Sequence, residues 1–169
     1  MFREYASLHF LPLQSASGVR IAPLAPPPRV TLDSPATLVM TDFVQTQAAA
    51  IEPGASIEYA NDTMRRRNVR SLIVTEASGE VIGILTAADI LGEKPVKFAL
   101  DNGIKHDEIR VSDIMTPRAL LELLAMEEVR EARVGHIVAT LRRAGRQHFL
   151  VQDRAEGGER VRGIFSLSQ

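Results

Sequence analysis

The two halves of this chain close on the same pattern, and that duplication restricts the fold more than any other feature. Gly83-Ile84-Leu85-Thr86-Ala87-Ala88-Asp89 is answered by Gly163-Ile164-Phe165-Ser166-Leu167-Ser168-Gln169. Each is an apolar strand that runs into a hydroxyl residue, with a polar residue three positions later. Upstream, Met64-Arg65-Arg66 aligns with Leu141-Arg142-Arg143 and Leu72-Ile73-Val74 with Phe149-Leu150-Val151, both at an offset of 77. Met40-Thr41 and Met115-Thr116 are 75 apart, and Thr86 and Ser166 are 80 apart. An offset that grows in small steps marks loop insertions inside a duplicated unit. Here residues 154–162 replace the shorter connection 77–82, and loops absorb such insertions at little cost. Two units with this ending predict two pseudo-equivalent sites in one module, a paired binding device rather than a single catalytic pocket.

The 169 residues divide into halves of roughly sixty residues. Units that small are marginal alone, so a shared core or a dimer is expected. A net charge of -1 gives no global reason to bind nucleic acid or an anionic membrane. The absence of Cys excludes disulfides and thiolate metal sites, and it fits a reducing, cytoplasmic setting. Arg3 and Glu4 stand among short apolar patches followed by prolines, unlike a signal peptide. No apolar run reaches about 18 residues, so no membrane span is expected.

Residues 1–35 read as an irregular arm. Pro12, Pro23, Pro26, Pro27, Pro28 and Pro35 forbid long helices, and the triplet favours polyproline II. Its apolar residues Phe2, Leu8, Phe10, Leu11, Val19 and Ile21 suit packing on the core or on a second subunit, with a disordered tail as the alternative. The first unit spans residues 36–95. Ala48-Ala49-Ala50-Ile51 is a short apolar strand, and Glu52-Pro53-Gly54 a turn. Ser56 caps a helix to about Arg67 with the stripe Ile57, Ala60 and Met64. Strands are expected over residues 71–76 and 81–85, joined by Ser78-Gly79. Thr86 then caps a short helix that ends within residues 92–95. Residues 96–110 form a charged linker, part of it helical. The second unit, residues 111–169, repeats the order. Residues 120–124 serve as strand or helix, and Val134, Ile137, Val138 and Leu141 mark a helical face. Strands over 147–152 and 161–165 follow, turning at Gly157-Gly158. The sequence stops at Gln169, where a second closing helix should begin. Truncation would explain this, as would replacement of that helix by the arm or by a dimer partner.

The strand-helix-strand-strand-helix order, Met-Thr before each unit and the Gly-apolar-apolar-Thr/Ser-x-x-Asp ending resemble a tandem pair of CBS domains, a Bateman module, over residues from about 36 to 169. Asp113-Ile114-Met115-Thr116-Pro117 is similar to the family's usual start of a unit. The resemblance implies an α+β fold of two CBS repeats, β-α-β-β-α each with the last helix missing, packed as a pseudo-twofold pair. It implies two clefts between the repeats, often a disc-shaped homodimer, and an adenosine-containing ligand: AMP, ADP, ATP or S-adenosylmethionine. No cofactor is required. Asp89 would accept hydrogen bonds from both ribose hydroxyls. The Thr86 hydroxyl and nearby helix amides would suit a phosphate. Ile51, Val69 and Leu85 would sandwich a purine, and Arg70 would supply counter-charge. Thr86 and Asp89 also have the spacing of a capping box, and the two roles can coexist. In the second motif Ser166 keeps the hydroxyl, but Gln169 replaces the acid, so at most one well-formed site per chain is expected. His148, at the position of Ser71, is placed in the second cleft.

Other constellations are weaker. His9, His106, His136 and His148 show no metal spacing, and His106-Asp107-Glu108 reads as solvated linker. Arg65-Arg66-Arg67 and Arg142-Arg143 invite a nucleic-acid reading, yet they sit late in helices, where cations complement the dipole. There is no Gly-x-Gly-x-x-Gly, no P-loop and no cysteine nucleophile. The expected function is therefore a stand-alone, non-enzymatic regulatory module that signals nucleotide occupancy to a separate partner protein. A ligand-free structural or dimerisation module is the alternative, and nucleic-acid binding a more distant one.

Overall fold

The computed structural model describes residues 7–9, 20–23 and 29–167. Phe2, Phe10, Leu11, Pro12, Val19, Pro26-Pro27-Pro28 and Gln169 lie outside the described residues. In the described part of the arm, Leu8 and Ile21 are exposed. Residues 32–36, by contrast, pack on the second repeat. The Gly135 N–H donates to the Leu32 carbonyl (2.8 Å), the Val134 N–H donates to that of Ser34 (2.9 Å), and Ala36 is fully buried.

A short strand β1 (Thr41–Asp42) precedes a first unit of β2 (Ala50–Ile51), α1 (Ile57–Arg67), β3 (Ser71–Thr75), β4 (Val81–Thr86) and α2 (Ala87–Leu91). Helices α3 (Lys94–Asn102) and α4 (Val111–Ile114) and strand β5 (Thr116–Pro117) connect it to the second unit. That unit comprises β6 (Leu123–Ala125), α5 (Met126–Glu131), α6 (Val134–Ala144), β7 (His148–Ala155) and β8 (Gly158–Ser166). Two sheets result, ordered β2-β3-β4-β5 and β1-β8-β7-β6. In each, the first strand of the unit runs parallel to the next across a helical crossover, and a hairpin completes it. The leading strands are exchanged. β1 pairs with β8 through Thr41 and Ile164, and β5 pairs with β4 through Thr116 and Ile84.

The strand sequences are apolar on both faces because both faces are covered. Side chains alternate across a strand, so Leu72, Val74 and Leu85 enter the first unit's helical core with Ile57, Ala60 and Met64. Phe149, Val151 and Phe165 do the same in the second unit with Ile137 and Leu141. The intervening Ile73, Ile84, Leu150 and Ile164 form a third cluster that packs the two sheets together. Small units thus share a core, as their size requires.

Helix boundaries follow local chemistry. The Ser56 hydroxyl accepts the Tyr59 N–H (3.2 Å) at the start of α1, and Asn68 ends it in the left-handed region at φ 51°. Several expectations need correction. Gly92 ends α2, but Pro95 does not belong to that stop. It sits in the first turn of α3, where its missing N–H is not needed. Residues 120–124 are split between a 3-10 turn (Arg118–Leu120) and β6, and α5 follows with no counterpart in the first unit. The second hairpin is longer than its sequence pattern suggested, turning into Gly158 at φ 108°. Its base is held by Arg162 on β8. This guanidinium donates to both carboxylate oxygens of Asp42 on β1 (2.7 and 2.8 Å) and to Asp153 on β7 (3.1 Å).

Candidate functional site

The pseudo-twofold packing sets the end of β4 and the start of α2 opposite the segment that leads into β7. Between them lies a cleft of about 460 Å³ whose walls include Thr86 and Asp89 from the first unit, Thr116 from the exchanged strand β5, and Leu121, Glu122, Arg146, Gln147 and His148 from the second. This volume falls within the roughly 300–1,000 Å³ usual for small-molecule sites.

Thr86 and Asp89 form a full capping box. The Asp89 N–H donates to the Thr86 hydroxyl (3.2 Å), while the Thr86 N–H (2.8 Å) and hydroxyl (2.7 Å) both donate to Asp89 Oδ2. The other oxygen, Oδ1, accepts a hydrogen bond from Lys94 Nζ (2.5 Å), which also donates to the Ile114 carbonyl (3.3 Å). Asp89 is therefore 8% exposed and already partnered on both oxygens. Lys94 lies in the first turn of α3, a position that the sequence reading placed in the stop of the preceding helix.

His148 occupies the same cleft as Asp89. The correction has a simple cause: the units face each other, so the entry to β7 meets the exit of β4. His148 Nε2 is buried and has no hydrogen-bond partner, the one such side-chain atom among the described residues. Burial lowers the His148 pKa below the ordinary imidazole value, and the nearby Asp89 carboxylate opposes this only in part. Beside it, Arg146 is engaged with Glu122 (3.1 Å) and the Leu120 carbonyl (3.4 Å), and it lies 5.8 Å from the Phe149 ring centroid.

The remaining expected site residues lie elsewhere. Ile51 and Leu85 are buried in the first unit's core and Val69 packs against it, so none of the three lines this cleft. Arg70 is exposed, and its carbonyl accepts the Ala87 N–H. Ser166 lines a separate apolar groove of about 400 Å³ with Met40, Leu141 and Phe165. Sequence reasoning missed Thr116, Glu122, Arg146 and Lys94. The signal for Arg146 was the repeat offset itself: at an offset of 77 it is the counterpart of Val69.

Four of the competing groups have local partners. Arg66 lies over the Tyr59 ring, and Arg67 donates to the Gln47 and Ala48 carbonyls. His106 contacts Glu58 (3.0 Å), and His136 accepts the Arg133 N–H (3.0 Å). Among the described residues no group of three or more His, Cys, Asp or Glu could hold a metal. None of their helices is long and apolar enough to cross a membrane.

Two exchanged-strand α+β repeats, joined sheet to sheet around a ligand-sized cleft, define a tandem repeat module. The CBS domain family model matches residues 39–95, the first repeat. An uncharacterized conserved protein from Pyrococcus horikoshii is 25% identical with a TM-score of 0.58, covering 82% of this chain and 90% of that one. A CBS-domain containing protein from Agrobacterium tumefaciens is 21% identical with a TM-score of 0.56, over 77% and 90% of the two chains. CBSX2, a CBS-pair protein of Arabidopsis thaliana, in complex with AMP is 19% identical with a TM-score of 0.56, over 80% and 90%. No curated protein matches the chain by sequence. The first repeat thus carries the match to the CBS domain model, and the chain as a whole shares the fold of these CBS-domain structures.

Proposed function

We propose that this CBS pair is a regulatory module that binds an adenosine-containing ligand between its repeats and passes occupancy to a partner protein, without catalysing a reaction itself. One observation carries the reading. The inter-repeat cleft joins a carboxylate–hydroxyl pair, Asp89 and Thr86, to the half-buried His148, whose Nε2 has no hydrogen-bond partner. A ribose diol needs acceptors and a purine needs a polar edge contact within apolar walls, and Ile84, Leu121 and Leu150 supply the latter. CBSX2 holding AMP in a similar fold agrees with this choice of ligand. Because the walls come from both repeats, a ligand that fits one inter-repeat angle better than another shifts the population toward it. A homodimer would present that change to the partner.

A thermal-shift screen with AMP, ADP, ATP and S-adenosylmethionine, followed by calorimetry, tests the proposal. A ligand at about 100 times its dissociation constant adds about 2.7 kcal/mol to stability. Asp89→Asn keeps an oxygen for the cap but removes the charge that holds a ribose, and it should weaken binding by about tenfold or more. Binding that is indifferent to this substitution would place the site elsewhere. Lys94 on Asp89 favours a second reading, an interaction module whose cleft is filled by its own side chains. In that case the whole screen is flat.

A further inference from the structure

We infer that this cleft selects an adenosine whose 5′ substituent is uncharged or cationic, and discriminates against phosphorylated forms. The inference rests on the adenosine-site reading above and deepens it. The charged side chains in the walls are Asp89, Glu122 and Arg146, and the cation is already committed. Arg146 pairs with Glu122 and also donates to the Leu120 carbonyl. Lys94, the nearest further cation on Asp89, spends its ammonium on that carboxylate and on the Ile114 carbonyl.

Helix α2 offers no substitute. It is five residues long, and two of its first amides are occupied: the Ala87 N–H donates to the Arg70 carbonyl and the Asp89 N–H to the Thr86 hydroxyl. The Thr86 hydroxyl proton is itself directed at Asp89. Burial disfavours the protonated form of His148, so it brings a hydrogen-bonding edge rather than a committed cation. A phosphate dianion entering here would find both cations already engaged with carboxylates and backbone carbonyls. Placing it would require the Arg146–Glu122 pair to open. A sulfonium or an unsubstituted 5′-hydroxyl requires no such opening.

Isothermal titration calorimetry of the full chain with adenosine, S-adenosylmethionine, AMP and ATP in matched buffer provides the test. Adenosine or S-adenosylmethionine is expected to bind more tightly than AMP and ATP by on the order of tenfold or more. Glu122→Gln, which frees Arg146, should shift the preference toward AMP. If AMP or ATP binds as tightly as adenosine, or if Glu122→Gln leaves the ratio untouched, the charge inference falls while the adenosine site stands. If no member of the series binds, the adenosine-site reading itself falls, and this inference with it.

Discussion

Gly83 and Gly163 open the two repeated endings, and the structure explains why neither carries a side chain. At each, the exchanged leading strand crosses directly over the backbone. A Cβ at Gly83 would lie 2.7 Å from the Thr116 carbonyl oxygen and 2.8 Å from Met115 Sδ, and one at Gly163 would lie 2.6 Å from the Thr41 carbonyl oxygen. The methionine side chain can swing away, but the carbonyl belongs to a paired strand. For Gly83→Ala, β5 must retreat by about 0.7 Å to reach ordinary contact, stretching the pairing of Ile84 with Thr116. Overpacking of this kind costs about 1–3 kcal/mol. We expect about 2 kcal/mol, equivalent to a Tm lowered by about 4–8 °C, or a urea midpoint lowered by about 1 M for a slope near 2 kcal/mol/M. The control is Gly157→Ala, where an added Cβ meets nothing within 4 Å; its expected change is within about 0.5 kcal/mol. Urea melts followed by circular dichroism measure both. If Gly83→Ala is no less stable than Gly157→Ala, the crossing strand is not what excludes a side chain there, and the account of the repeat signature fails.

Two further substitutions probe the ion pairs. The Arg162 hydrogen bonds hold the Asp42 carboxyl below its ordinary pKa, so this contribution is complete above the ordinary carboxylate value and is lost as pH falls through the depressed one. Asp42→Asn should cost about 2 kcal/mol at pH 7, and its stability should fall less steeply than that of the wild type below about pH 4. Parallel acid limbs in the two proteins would contradict that assignment. Lys94→Met removes the ammonium from Asp89 Oδ1 while the Thr86 bonds to Oδ2 remain. With its side chain half exposed (51%), Lys94 contributes at most about 1 kcal/mol to stability. The variant should bind adenosine several-fold more tightly by calorimetry, and weaker binding would mean that Lys94 assists the ligand rather than competing with it.

How much was legible in the sequence depended on whether a feature was local. Helix α1, both hairpins and the cap of α2 were readable because Ser56, Ser78-Gly79 and Thr86 act on neighbours within four residues. The strand cores were readable for a different reason. Leu72, Ile73 and Val74 are apolar without alternation because one face meets helices and the other a second sheet. The exchange of β1 and β5 was hidden. Each is two residues long, too short for any periodicity, and the partner is set by tertiary packing. Met-Thr before each unit was visible as a repeat, but its destination was not. The same blindness misplaced His148: as the counterpart of Ser71 it was assigned to the second cleft, and although it pairs with Ser166 across β7 and β8 it lines the cleft of Asp89.

That exchange bears on how occupancy could leave the cleft. Thr116 lines the cleft and pairs with Ile84 in β4, so a ligand bound there would touch a strand that ties the first sheet to the approach of the second unit. Asp42 on β1 is clamped by Arg162 on β8, which makes the reciprocal tie. A change in the inter-repeat angle must therefore move each leading strand with the opposite unit's sheet, and the segments behind those strands move with it. For β5 these are α3 and α4, whose Val96 and Leu100 are exposed. On the proposed function, a signal would run from Asp89 through Lys94, at the start of α3, to this exposed apolar pair. Lys94 would be the switch point in this scheme: it ties α3 to Asp89 and to the Ile114 carbonyl, and a ribose that took Asp89 Oδ1 would release it.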